Sequence, residues 1–186
     1  MNTQPKHNIV VSPIHQIDSE LLGRVAGGIA SVFSIPVKIM PLIDSLDFAF
    51  HWERRQYHST VILEALDQKA PSTALKVLGV TDQDLFIPIL THVYGEAQLG
   101  GRASVISIYR LKEGVSPGDN AEQYYGRVVK EAIHELGHTF NLRHCKDPRC
   151  IMHYCRSITD VDRKSMDLCR YCRTLLDDEI RRLMDG

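Results

Sequence analysis

Short β-branched runs alternating with segments of helical periodicity predict an α/β fold, a twisted mixed sheet with helices packed on it. Two properties of the whole chain agree. Its 186 residues suffice for a single domain with a substantial core, and its 44% hydrophobic and 24% charged content is that of a globular protein. There are no internal repeats or low-complexity segments.

The elements follow in order. Asn8 to Val11 is short and β-branched, and reads as the first strand, closed by Pro13. Asp18 caps a helix over Ser19 to Phe33, where Leu21, Leu22, Val25, Ile29 and Val32 recur at helical spacing. Inside it, Gly27-Gly28 either admits a close neighbour or weakens the helix. Pro36 to Ile43 is a second strand. Asp44 to Ser59 carries few periodic signals. Its cluster of Trp52, Arg54, Arg55 and Tyr57 reads as a solvated edge with a partly buried Trp, the alternative being a basic binding surface. Thr60 to Ala70 is a second helix ended by Pro71, Leu75 to Val80 a third strand, and Thr81 to Asp84 a polar turn into Leu85 and Phe86. Val93 to Leu99 reads as a strand in which Gly95 marks a bulge or a close approach, and Val105 to Tyr109 as a more regular one.

Lys112 to Asn120, with Gly114, Pro117 and Gly118, is a linker. Asn120 and Gln123 then form a start resembling a capping box. The helix that follows carries Tyr125, Val128, Val129, Ala132, Ile133 and Leu136 as an apolar stripe. Its far end reads His134-Glu135-Leu-Gly-His138-Thr-Phe-Asn141-Leu-Arg-His144-Cys145. Two imidazoles four residues apart share one helical face and can reach one metal ion, while Glu135 can lean toward the open side of that ion and take a proton from water. A third His six residues later cannot stay on that face, so the helix must end and the chain turn back. Asn141 suits that turn, because Asn tolerates the left-handed conformation. Gly137 costs helix stability, and a close approach by another backbone would explain it. A final helix is expected within Thr159 to Met184, where Leu176, Ile180 and Leu183 fall at helical spacing.

H-E-x-x-H-x-x-G-x-x-H followed by a Met-turn is the metzincin signature of zinc metallopeptidases, and the chain matches it except for Asn141 in place of Gly. Two cysteine pairs, Cys145-x4-Cys150 and Cys169-x2-Cys172, flank Cys150-Ile-Met152-His153-Tyr154. Together these residues resemble the archaemetzincin family, from His134 to Cys172. The resemblance implies a single metzincin-like domain over 1–186, with an upper part, 1–141, holding sheet and active-site helix, and a zinc-stapled C-terminal part, 142–186. It also implies two zinc ions per chain. His134, His138 and His144 would hold the catalytic ion, with Glu135 as general base for peptide-bond hydrolysis. Cys145, Cys150, Cys169 and Cys172 would close a structural site. Met152 would form the floor beneath the imidazoles. Tyr154 is expected to be a buried packing residue, the alternative, by likeness to the Met-turn of astacin-type metzincins, being a transition-state stabiliser. Val93 to Leu99 would be the edge strand that pairs with substrate, the alternative being an ordinary hairpin of the sheet. Cys155 is left over as a buried or free thiol, or as a replacement for Cys150 in the ligand set.

The reading is therefore a zinc-dependent peptidase, aminopeptidase-like or acting on small peptides, with a peptide or protein substrate. A catalytically silent zinc-stabilised interaction module would keep both metals, but the intact Glu135 counts against it. The formal net charge of -1 disfavours nucleic acid as a partner. No apolar run approaches the roughly 20 residues of a spanning helix, and Met1 to Pro13 has no secretory hydrophobic region. The expectation is a cytoplasmic monomer in which paired cysteines are thiolate ligands and not disulfides.

Overall fold

The computed structural model describes residues 7–115 and 120–185. Five strands form the main sheet: β1 (Asn8–Ile14), β2 (Val37–Ile39), β5 (Ala74–Thr81), β7 (Gly95–Ala97) and β8 (Ala103–Ser107), in the order β2-β1-β5-β8-β7. All neighbours are parallel except β7, which runs antiparallel to β8 and forms one edge. Burial on both faces explains why β1, β5 and β8 read as nearly continuous apolar runs. A second, small sheet holds β3 (Phe50–His51), β4 (Gln56–His58) and β6 (Leu85–Phe86).

Alternation along the strands divides the core in two. Ile9, Val11, Leu78, Val80 and Ile106 face α1 (Ser19–Phe33) and α3 (Ala121–Thr139), whereas Val10, Ile14, Val77 and Val105 face α2 (Ser59–Lys69). Asp18 accepts from Leu21 N at 2.8 Å, as expected of the cap of α1. Within α1 the two glycines differ. A Cβ at Gly28 would lie 2.5 Å from Val129 Cγ1, so Gly28 lets α3 come close, whereas nothing lies within 4 Å of one at Gly27.

Several expectations are corrected. β1 runs through Pro13 to Ile14, because Pro13 keeps its register opposite Val80 although it has no N–H to give the ladder. β2 is three residues long, not eight. Trp52 is 84% exposed, stacked edge-on to Phe50 at 5.1 Å, and not partly buried. Asn120 makes no capping bond to the backbone; its amide donates to Gln123 Oε1 at 2.7 Å. Pro117 and Gly118 of the expected linker lie outside the described residues. The expected final helix is α5 (Arg170–Asp185), which carries Leu176, Ile180 and Leu183 and starts beside Cys169, but the stretch from Thr159 also holds a separate short helix, α4 (Ile158–Arg163), started by a Ser157–Asp160 capping box. Between them the backbone is used elsewhere. Ile151 N donates to Asp167 O and Ser165 N to Arg149 O, both at 2.9 Å, which ties this segment to the chain just before Met152.

Gly27→Ala should raise stability by about 1 kcal/mol, the helix-propensity difference, because the added methyl meets nothing. Gly28→Ala should lower stability, because Val129 stands in its way. Thermal unfolding of the two variants beside the parent checks both signs.

Candidate metal centre and catalytic cleft

The site is built on the C-terminal end of α3, where the helix stops one residue after His138. Asn141 takes the left-handed conformation with φ 62°. Asn141 N donates to His138 O at 2.9 Å and Leu142 N to Gly137 O at 3.0 Å, the paired bonds of a Schellman ending. Thr139 O accepts from Lys76 Nζ at 2.6 Å, and His138 O takes a second bond from Gly100 N at 2.9 Å. Lys76 is 3% exposed; burial pushes its pKa down to about 8. Its cation nonetheless suits the negative end of the helix dipole.

This turn brings His144 back to His134 and His138, so that one ligating atom from each lies within 4.8 Å of the others. His134 Nδ1 lies 2.8 Å from Ile151 O and His138 Nδ1 2.7 Å from Leu142 O. Carbonyls accept, so each Nδ1 carries the proton and each Nε2 is left with its lone pair. The two Nε2 atoms are 3.2 Å apart, with no proton between them. That is close to the spacing, about 3.3 Å, of two nitrogens on a tetrahedral zinc. Burial lowers the pKa of all three His, well below the usual value for His134 and to about 4 for His138, which keeps the rings neutral and ready to ligate. The donor set fits zinc.

Glu135 is 6% exposed and lines the same cleft. Burial, and then Glu131 one turn earlier, raise its pKa well above the usual carboxylate range. The cation near this pair is Lys164, 2% exposed, with Nζ 3.8 Å from Glu131 and 3.4 Å from His134 Nδ1. The second distance is a contact and not a hydrogen bond, since that nitrogen's proton goes to Ile151 O. Sequence reading missed Lys164. Glu131 and Glu135, like charges four residues apart on the motif helix, were the available signal that a cation had to lie nearby.

Cys145, Cys150, Cys169 and Cys172 form a second group with Sγ atoms within 4.8 Å of one another. Cys145 and Cys169 Sγ are 3.7 Å apart, far too long for a disulfide and close to the roughly 3.8 Å of two thiolates on zinc. Backbone N–H groups point at the sulfurs: Cys169 N to Cys150 at 3.3 Å, Asp147 N to Cys145 at 3.4 Å and Cys172 N to Cys169 at 3.5 Å. The bond from Cys172 N holds the Cys169 thiol below its ordinary pKa. Cys155 stands apart from this group and lines the cleft instead of replacing Cys150.

Met152 is fully buried, and a Cβ at Gly137 would lie 3.0 Å from its Cε. The close neighbour expected at Gly137 is thus a side chain, not a backbone. Tyr154 is 46% exposed with its ring 5.0 Å from that of His144, so it is not a buried packing residue. β7 is an edge strand of the sheet and its Gly95 and Glu96 line the cleft, but the regular strand covers only Gly95 to Ala97 and not Val93 to Leu99.

Comparison with known proteins bears on this arrangement directly. The sequence profile of peptidase family M54 matches residues 7–178. The chain belongs to peptidase family M54. Archaemetzincins of Methanocaldococcus jannaschii and Archaeoglobus fulgidus are each 37% identical to it, over 91% and 88% of this chain and 93% and 95% of theirs. The crystal structure of the Methanopyrus kandleri archaemetzincin superposes with a TM-score of 0.84 at 33% identity, covering 98% of this chain and all of that one. That of the Archaeoglobus fulgidus protein complexed with malonate gives 0.77 at 34% identity, covering 90% and 99%. Archaemetzincin membership makes the chain a zinc metallopeptidase, a hydrolase whose substrate is a peptide or protein. Among the described residues, no helix is long and apolar enough to cross a membrane.

The left-handed turn at Asn141 gives a direct test. Asn141→Gly should retain thermal stability and zinc content, since Gly adopts φ 62° freely. Asn141→Val should cost about 1–2 kcal/mol and weaken zinc retention against a chelator, because a β-branched residue resists that conformation and His138 and His144 depend on it.

Proposed function

We propose that the chain hydrolyses peptide bonds with His134, His138 and His144 holding a catalytic zinc and Glu135 as general base. The observation that carries this is the pair of unprotonated Nε2 atoms 3.2 Å apart, with the Glu135 carboxylate lining the same cleft. When bound there, zinc supplies Lewis acidity and an acidified water. Glu135 takes the proton of the attacking water and hands it to the departing amine. Backbone carbonyls of Ile151 and Leu142 keep His134 and His138 in the ligating tautomer throughout. Tyr154 would donate to the oxygen on which negative charge develops, a role supported by its place in the lining of the cleft with its ring 5.0 Å from that of His144.

The four cysteines hold a second, structural zinc in this reading, giving two ions per chain. Cysteines grouped as thiolate ligands and not joined as disulfides suit a reducing compartment, which supports a cytoplasmic location. The cleft has a volume of about 380 Å³, the scale of a small-ligand site, which supports short peptides as substrates. Glu96 and Glu131 line it, and a carboxylate is the natural partner of a free α-ammonium. Both features support removal of N-terminal residues.

Three measurements follow. Glu135→Gln should keep zinc and fold while slowing cleavage of a mixed peptide pool by roughly 10²- to 10⁴-fold, and an undiminished rate would remove Glu135 from the mechanism. Cys172→Ser should lower the unfolding temperature sharply, since a structural zinc contributes on the order of 10 kcal/mol of apparent binding free energy; His134→Ala should spare the fold. N-terminal acetylation of the peptides should abolish cleavage, whereas internal cuts in acetylated peptides would contradict the aminopeptidase reading.

A further inference from the structure

Gly95 stands at the first position of edge strand β7, paired with Ile106 of β8. A Cβ built there would lie 2.6 Å from Glu135 Cγ, 3.0 Å from Glu135 Cδ and 2.8 Å from Val105 O. The side chain of Glu135 thus lies in the space that any other residue at position 95 would fill.

The strand has little room to withdraw. Glu96 accepts from the hydroxyls of Ser59 and Thr60 at the start of α2, the latter at 2.9 Å. Ser107 N donates to Tyr94 O at 2.7 Å, and Gln98 N to Ala103 O at 3.0 Å. These bonds fix β7 on both sides of Gly95. Glu135, by contrast, has the cleft in front of it. An added methyl would therefore press on both neighbours: on Glu135, whose side chain can move about 1 Å into the cleft to restore carbon–carbon contact, and on the Val105 carbonyl, which is backbone and has little room to give.

We infer that Gly95 is a positioning residue for Glu135: the bare backbone of β7 is the wall that sets where the carboxylate stands relative to the three-His group. The inference rests on Glu135 being the general base. It assigns a second task to a strand whose edge is already a candidate for pairing with substrate. A displacement of about 1 Å in a catalytic group can cost on the order of 10²-fold in rate.

The test uses the zinc-loaded full chain and four proteins: parent, Gly95→Ala, Glu135→Ala and the double variant. Gly95→Ala should retain zinc and lower kcat on the peptide pool at least 10-fold, with KM within about twofold. Unchanged kcat would overturn the inference, and so would a loss confined to KM, which would mark Gly95 as a substrate contact. Thermal unfolding supplies a readout independent of turnover. The drop in melting temperature caused by Gly95→Ala should shrink in the Glu135→Ala background, where the methyl meets only the Val105 carbonyl. An equal drop in both backgrounds would show that the methyl acts through the backbone of β8 and would overturn the inference. Failure of the parent reading is separable, because a fully active Glu135→Gln variant contradicts the general base itself, whereas slow Glu135→Gln with unimpaired Gly95→Ala contradicts only the positioning.

Discussion

Everything at the site depends on how α3 ends. Three imidazoles can converge on one ion only if the helix stops within a turn of His138 and the chain reverses at once. A helix end leaves four carbonyls without partners, and burying them costs free energy unless each is satisfied. Here the reversal itself satisfies two, those of His138 and Gly137, through Asn141 N and Leu142 N, while Lys76 reaches Thr139 O from the sheet side and Gly100 N gives His138 O a second donor. Leu142, whose N–H closes the Schellman pair, also offers the carbonyl that orients His138. Helix termination and ligand orientation are therefore one hydrogen-bonded unit.

The two metal groups are linked through the same chain. His144 belongs to one and Cys145, the next residue, to the other. Cys145 N donates to Met152 O at 2.9 Å, and His153 Nδ1 lies 2.9 Å from Cys145 O, so the segment after the turn is stapled to the Met152 segment. In the two-zinc reading proposed above, a metal closed by the four cysteines would also hold His144, the most exposed of the three imidazoles, beside His134 and His138.

Much of this was legible in sequence because the signals are local. The His134, His138 and His144 spacing, the Asn141 turn and the α1 boundaries all follow from residues within one or two turns of one another, whereas the edge position of β7 came from the family resemblance. The interruption between α4 and α5 was not legible. Leu176, Ile180 and Leu183 give a helical period, but the break is set by backbone bonds to Arg149 and Ile151, which no period records. Lys164 was invisible for a similar reason. It reaches Glu131 across 33 residues, and only the like-charged Glu131 and Glu135 hinted at a cation. Gly95 announced a close approach without saying to what; the answer, Glu135, lies forty residues away in sequence.

The central claim is that one short chain segment carries two zinc ions with different donors and different tasks. X-ray absorption at the zinc edge, together with metal analysis of the purified protein, tests it most directly. The account predicts two zinc per chain, with a sulfur shell near about 2.3 Å from the cysteines and a nitrogen and oxygen shell near about 2.0 Å from the imidazoles. A single zinc in well-folded protein, or a spectrum of sulfur ligands alone at full occupancy, would contradict it.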